Sequence, residues 1–174
     1  MITCEHSVIR TADPDDAYEL HRLHKTGEPR AFLADRRREL VIPTLDELTQ
    51  VLTQRDRSTG SFFVVEDREG CIRGFCTVRG VNPEARFGEM ALAFSRDDDY
   101  ASPLASEAFH FLCTLGFTRM GLAKLIGHCL KTETALRAFF VAHGFVSDGV
   151  QREVLYTGGR YLDMETLTLC RPST

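Results

Sequence analysis

At 174 residues, 43% hydrophobic and 26% charged, the chain is long enough for one domain with a full buried core, residues 1–174, and its composition is that of a globular protein. A net charge of −4 with acids and bases mixed along the chain excludes the clustered Lys and Arg of a nucleic-acid surface, and the compact run Arg36-Arg37-Arg38, set between Asp35 and Glu39, reads as a solvated helix face. The opening MITCEHSVIRTADPDD has no apolar core for a signal peptide and no run reaches transmembrane length, so a cytoplasmic location with no membrane contact is expected.

Ser7 to Arg10 reads as a short strand, and Asp13-Pro14 opens a helix with Ala17, Leu20 and Leu23 or His24 on one side. Pro43-Thr44-Leu45-Asp46-Glu47 starts a second helix, with Thr44 and Glu47 spaced for a capping box and Leu45, Leu48 and Leu52 as its stripe. From residue 61 the period changes to two. Ser61–Glu66 and Cys71–Arg79 form a hairpin about the Asp67–Gly70 turn, and after a turn at Val81–Ala85 a third strand covers Gly88–Phe94. The longest helix is expected from Pro103 to Met120, with Ser102 as N-cap, Pro103 at the first helical position and Gly121 at the exit. Lys124–Leu130 is a strand, Glu133–His143 a helix stopped by Gly144-Phe145, and Val150–Tyr156 and Tyr161–Leu169 are closing strands about Gly158-Gly159.

The six cysteines (Cys4, Cys71, Cys76, Cys113, Cys129, Cys170) lie in apolar segments without CxxC pairing and read as reduced core thiols. His110 with Cys113, and His128 with Cys129, are too few and too scattered for a metal centre, so no metal is expected.

The element order resembles the GNAT superfamily of acyl-CoA N-acyltransferases. The second half is most similar to bacterial members that acetylate ribosomal-protein N-termini or spermidine. The likeness rests on the joint spacing of Glu107-Ala108, Phe117, Gly121-Leu122, Lys124-Leu125, Gly144-Phe145, Gly149, Arg152 and Gly159-Arg160-Tyr161-Leu162-Asp163. It implies an α/β fold, a mixed and mostly antiparallel sheet with helices on both faces. It also implies acetyl-CoA or another acyl-CoA as donor, and an amine acceptor, small-molecule or protein, that the sequence does not name. It leaves room for a homodimer.

The implied reaction is attack of a neutral amine on a thioester. It requires a grip on the donor, an oxyanion donor and a base. The resemblance places the base at Glu89, with His128 on the neighbouring strand as a second candidate whose ordinary titration range suits the task. It places the oxyanion and pantetheine contacts on backbone groups after a bulge in the third strand, at Phe94, Ser95 and Arg96. The pyrophosphate grip falls at the start of the central helix, on the amides of Leu104, Ala105 and Ser106. There the family's glycine-rich loop is degenerate. Tyr100-Ala-Ser-Pro-Leu-Ala105 keeps only Ala105, Pro103 removes one N–H, and Asp97, Asp98 and Asp99 are expected to repel a phosphate by about a kcal/mol each. The family's Asn, Ser and Tyr on the following helix correspond to Glu133, Leu136 and Phe140, none of which offers the same chemistry.

Three readings follow. One is an N-acyltransferase with an atypical donor site. A second is a non-catalytic domain of the same fold that binds a small ligand or a protein. A third, a carrier-protein thioester as donor, is disfavoured by the acidic turn, since carrier proteins are themselves acidic.

Overall fold

A computed structural model describes residues 1–26, 44–54 and 60–172. Pro43 and the basic run Arg36–Arg38 lie outside them. Eight strands form one sheet: β1 Ile2–Thr3, β2 Ser7–Thr11, β3 Gly60–Asp67, β4 Ile72–Asn82, β5 Phe87–Phe94, β6 Lys124–Leu130, β7 Val146–Thr157 and β8 Arg160–Cys170. Their spatial order is β1-β2-β3-β4-β5-β6-β8-β7. Only β5 and β6 run parallel; every other neighbouring pair is antiparallel. Among the described residues four α-helices complete the fold: α1 Ala17–Thr26, α2 Leu45–Gln54, α3 Pro103–Cys113 and α4 Thr134–Ala142.

The two sheet faces follow from strand alternation. On β5, Met90, Leu92 and Phe94 join the core beneath α3 and α4, while Ala91 and Ala93 join Val64, Phe75, Leu20 and Leu52 under α1 and α2. Local chemistry sets the element ends. The Thr44–Glu47 capping box forms as the sequence predicts: the Thr44 amide donates to Glu47 Oε2 at 2.7 Å, and the Glu47 amide donates to Thr44 Oγ1 at 3.2 Å. In the β3–β4 turn Asp67 Oδ1 accepts from the amides of Glu69 and Cys71.

Three sequence expectations need correction. The central helix is not uniform to Met120, because after Cys113 it widens into a π-helical turn, Thr114–Arg119. There the Met120 amide reaches the Leu115 carbonyl at 2.9 Å. Gly116 lies in that turn against Leu125 of β6, so closely that a Cβ would stand 2.9 Å from a leucine methyl; the widened backbone and the bare Cα seat the helix end on the sheet.

Ser102 stands at the N-cap in extended conformation, yet its hydroxyl does not cap α3. It donates to the Asp99 carbonyl at 2.6 Å, because the preceding 3-10 turn Asp97–Ala101 brings that carbonyl next to it. The cysteines are all free, but only Cys76 and Cys129 are buried. Cys71 and Cys170 are exposed, since they fall at strand ends where the alternating pattern meets a turn or tail.

Candidate active site at the parting of two parallel strands

The parallel strands stay together for only three residue pairs: Phe87 with Lys124, Gly88 with Leu125 and Glu89 with Ile126. Beyond them β5 continues to Phe94 and β6 to Leu130 without pairing to each other, each held instead by its outer neighbour. The sheet therefore forks at Glu89. By alternation Glu89 shares a face with Ala91 and Ala93, and His128 lies on that same face, opposite to Leu125 and Cys129 of the α3–α4 core. Both candidate bases thus stand at the fork on the α1–α2 side.

Glu89 is 20% exposed and its Oε1 accepts from Arg79 Nη2 at 2.9 Å, its register partner on β4. The His128 ring is held through Nδ1, 3.1 Å from the hydroxyl of Thr166, its partner on β8. These two positioning partners are not named by the sequence reading. The Arg79–Glu89 match depends on an extra residue at Gly80–Val81, which shifts the register between Arg79 and Asn82, and a plain strand alternation does not reveal it.

The irregularity in this hairpin therefore lies on β4. The expected bulge on β5 before Phe94 is absent: its register with β4 is unbroken from Glu89 to Phe94. The cause is Gly74, opposite Phe94. A Cβ there would stand 2.1 Å from the Ala93 carbonyl oxygen, so a bare Cα lets β5 lie flat against β4 to its last residue. Pairing then continues one residue further, with the Ser95 amide donating to the Arg73 carbonyl at 3.1 Å. Ser95 and Arg96 accordingly line a cleft with Arg22, Leu23, Cys71, Ile72 and Arg73.

Phe94 is buried, with its ring edge-on to Tyr100 at 5.5 Å between centroids. The Tyr100 hydroxyl donates to the Leu92 carbonyl at 3.2 Å, so this backbone acceptor of β5 already has a partner inside the protein.

At the start of α3 the outcome is mixed. Pro103 occupies the first helical position, and the amide of Ser102 donates to the Asp99 carbonyl at 3.1 Å. Of the four amides that a helix start leaves outside its own ladder, that of Leu104 belongs to a partly exposed residue and that of Ala105 to one that is fully buried. The amide of Ser106 does not belong to this set, because its position in the helix places it within the ladder. Its hydroxyl lies 3.5 Å from His143 Nε2 on α4.

The triple aspartate is less hostile than its charge predicts. Asp99 is buried and paired with Arg73 of β4 at 2.8 Å, and Asp98 lies 3.5 Å from Arg96. Two of the three charges are thus offset by arginines. Arg73 and Arg96 lessen the negative charge beside the first turn of α3.

The α4 positions are packed inward. Glu133 is buried and returns Oε2 to the Leu130 amide at 2.9 Å. Leu136 and Phe140 are core residues, Phe140 at 1% exposure lying over Gly127 of β6, where a Cβ would meet its ring at 2.9 Å. Phe139 stacks toward Tyr100, Phe109 and His143, so α3, α4 and the acidic turn share one aromatic core.

This forked sheet flanked by helices matches a known family. The model of the acetyltransferase (GNAT) domain matches residues 9–166, and the chain belongs to that family. Among curated proteins none matches the chain by sequence. Among solved structures, a probable acetyltransferase is 20% identical over 97% of this chain and 94% of its own, with a TM-score of 0.81. The spermidine N-acetyltransferase of Vibrio cholerae in complex with CoA and spermine is also 20% identical, over 94% and 95% of the two chains, with a TM-score of 0.78. A dodecameric structure of the Vibrio cholerae spermidine N-acetyltransferase is 19% identical over 94% and 93%, with a TM-score of 0.75. At these identities the structural likeness establishes the fold, a mixed and mostly antiparallel sheet with helices on both faces.

Proposed function

We propose that this chain transfers an acyl group from a CoA thioester to an amine, with Glu89 as the base that relieves the attacking amine of its proton and His128 beside it at the fork. The observation that carries this reading is the placement of Glu89 and His128 on one sheet face, on the two strands that part there. A carboxylate and an imidazole can each accept a proton from an attacking amine. The thioester would supply the activated acyl group, and the partly exposed first turn of α3, at Leu104, would meet the donor's pyrophosphate. The acceptor amine is left to be identified.

A second reading, a non-catalytic binding domain of the same fold, draws support from the inward packing of Glu133, Leu136 and Phe140 and from the Tyr100 hydroxyl on the Leu92 carbonyl. Titration with acetyl-CoA and CoA, followed by calorimetry and thermal unfolding, separates the two. At a hundredfold excess over its dissociation constant the donor stabilises the native state by about 2.7 kcal/mol. That raises the midpoint of a chain of this length by roughly 5–10 °C. With an amine acceptor found by screening, Glu89→Gln is expected to lower turnover by about a hundredfold while leaving donor binding in place. Absence of any heat or shift at millimolar coenzyme would sink the acyltransferase reading in favour of the second.

A further inference from the structure

The cleft that takes up Ser95 and Arg96 has a chemistry of its own. Its volume is about 440 Å³, within the range of small-molecule sites, and it lies between the end of α1, the start of β4 and the residues after β5. The side chains lining it are Arg22, Arg73, Arg96, Ser95, Cys71, Leu23 and Ile72. Among the described residues of this lining three are guanidinium groups and none is a carboxylate, and Leu23 and Ile72 supply an apolar wall.

Carboxylates paired with these arginines include Glu19 beside Arg22, Asp67 and Asp99 beside Arg73, and Asp98 beside Arg96, none of them among the described lining residues. A guanidinium has five N–H donors in a planar fork and a carboxylate engages at most two of them at once, so one arginine can hold more than one partner. Arg22 and Arg96 are 55% and 67% exposed, while Arg73 is paired with both Asp67 and Asp99.

We propose that this cleft is a binding site for a small organic oxyanion, a phosphate ester or a carboxylate, whose charged head sits among Arg22, Arg73 and Arg96 and whose apolar part lies on Leu23 and Ile72. It is separate from the fork. Ser95 follows Glu89 by six residues along one strand direction, which is about 20 Å at the rise of an extended chain. No proton passes between the two places in one step, and the site does not depend on the acyltransferase reading.

The test is titration of the full chain with inorganic phosphate, phenyl phosphate and benzoate, with methyl resonances of Leu23 and Ile72 as the local readout. Phenyl phosphate or benzoate is expected to bind saturably and to move both methyl sets. Inorganic phosphate is expected to bind more weakly, and added salt to weaken all three. Arg22→Gln and Arg96→Gln are each expected to weaken binding by about tenfold. Both side chains are more than half exposed, and the variants' unfolding midpoints check that the fold is kept. The tighter of phenyl phosphate and benzoate identifies the head group, and either result supports the proposal. Absence of saturation by about 10 mM, or equal binding by wild type and both arginine variants, overturns it.

Discussion

At the scale of single residues, what the sequence conveys is chemical type, and what it withholds is the partner. Glu89 and His128 are proposed from their place on adjacent strands, but Arg79 and Thr166, which hold them, depend on register. The aspartates of the acidic turn read as a barrier to phosphate until Arg73 and Arg96 are seen beside Asp99 and Asp98. Ser106 reads as a phosphate contact until helix geometry puts its amide inside the ladder. The pairs Glu89–Arg79, His128–Thr166 and Asp99–Arg73 each join residues remote in sequence. Tyr100 offers the sharpest test at this scale. Its hydroxyl is buried and bonded to the Leu92 carbonyl at 3.2 Å, while its ring packs on Phe94 and Phe139. Tyr100→Phe keeps the ring and orphans a buried acceptor, so it should cost about 1–2 kcal/mol in urea unfolding with an unchanged denaturant slope. A variant as stable as wild type would mean that the carbonyl is readily satisfied by other means, and that the tyrosine hydroxyl does not guard this edge of β5.

At the scale of elements the sequence is far more legible, because periodicity is a local signal and the strands here alternate cleanly. β6 coincides with its expected span, and the hairpin, the capping box and the four helices lie close to where their patterns place them. The two-residue β1 is too short to carry a period. The π-turn after α3 escapes because apolar spacing on a helix hardly changes when a single turn widens. The junction of β6 with α4 shows how packing, rather than propensity, fixes an element's place. Gly127 occupies the core face of β6 between Leu125 and Cys129, where Phe140, fully buried, lies directly over it. Gly127→Ala forces the ring to move where the core gives it no room, and is expected to cost about 1–3 kcal/mol. Adding Phe140→Leu removes the clashing ring edge. The double variant should then be less destabilised than the sum of the two single variants by about 1 kcal/mol or more, measured in one mutant cycle. Strict additivity would deny that this contact seats the helix.

At the scale of the molecule, carboxylates tie distant segments together, and they make stability depend on pH in a definite direction. Glu107 of α3 accepts from Ser7 Oγ at 2.5 Å, the His6 amide at 2.9 Å and the His6 ring at 3.1 Å, fastening the β1–β2 turn to a helix a hundred residues on. Burial works against its charge, but the bonds from Ser7 and His6 outweigh that and hold its carboxyl below the ordinary value of 4.5. Glu165 of β8 is likewise held low by hydrogen bonds from Arg137 of α4 and from Ser147, against the effect of burial. Asp16, whose burial opposes ionisation, is brought below 3.8 by Arg10 and the Asp13 amide. All three are depressed in the folded state. The unfolded chain therefore binds more protons as pH falls through their ordinary values, and the stability these groups contribute is present above about pH 4.5 and lost as pH drops through the folded values. Glu107→Gln isolates one of them, since it keeps the shape and an acceptor oxygen but not the charge. At pH 7 the variant should be less stable than wild type by about 1 kcal/mol, the difference between a charged and a neutral acceptor for these donors. That gap should stay constant down to about pH 5 and then close as the wild-type carboxyl takes up its proton. Urea unfolding of both proteins at stepped pH reads the gap directly. If the two stability curves ran parallel from pH 7 to pH 3.5, the charge on Glu107 would contribute nothing to holding the N-terminal turn on α3, and its bonds to Ser7 and His6 would be those of any neutral acceptor.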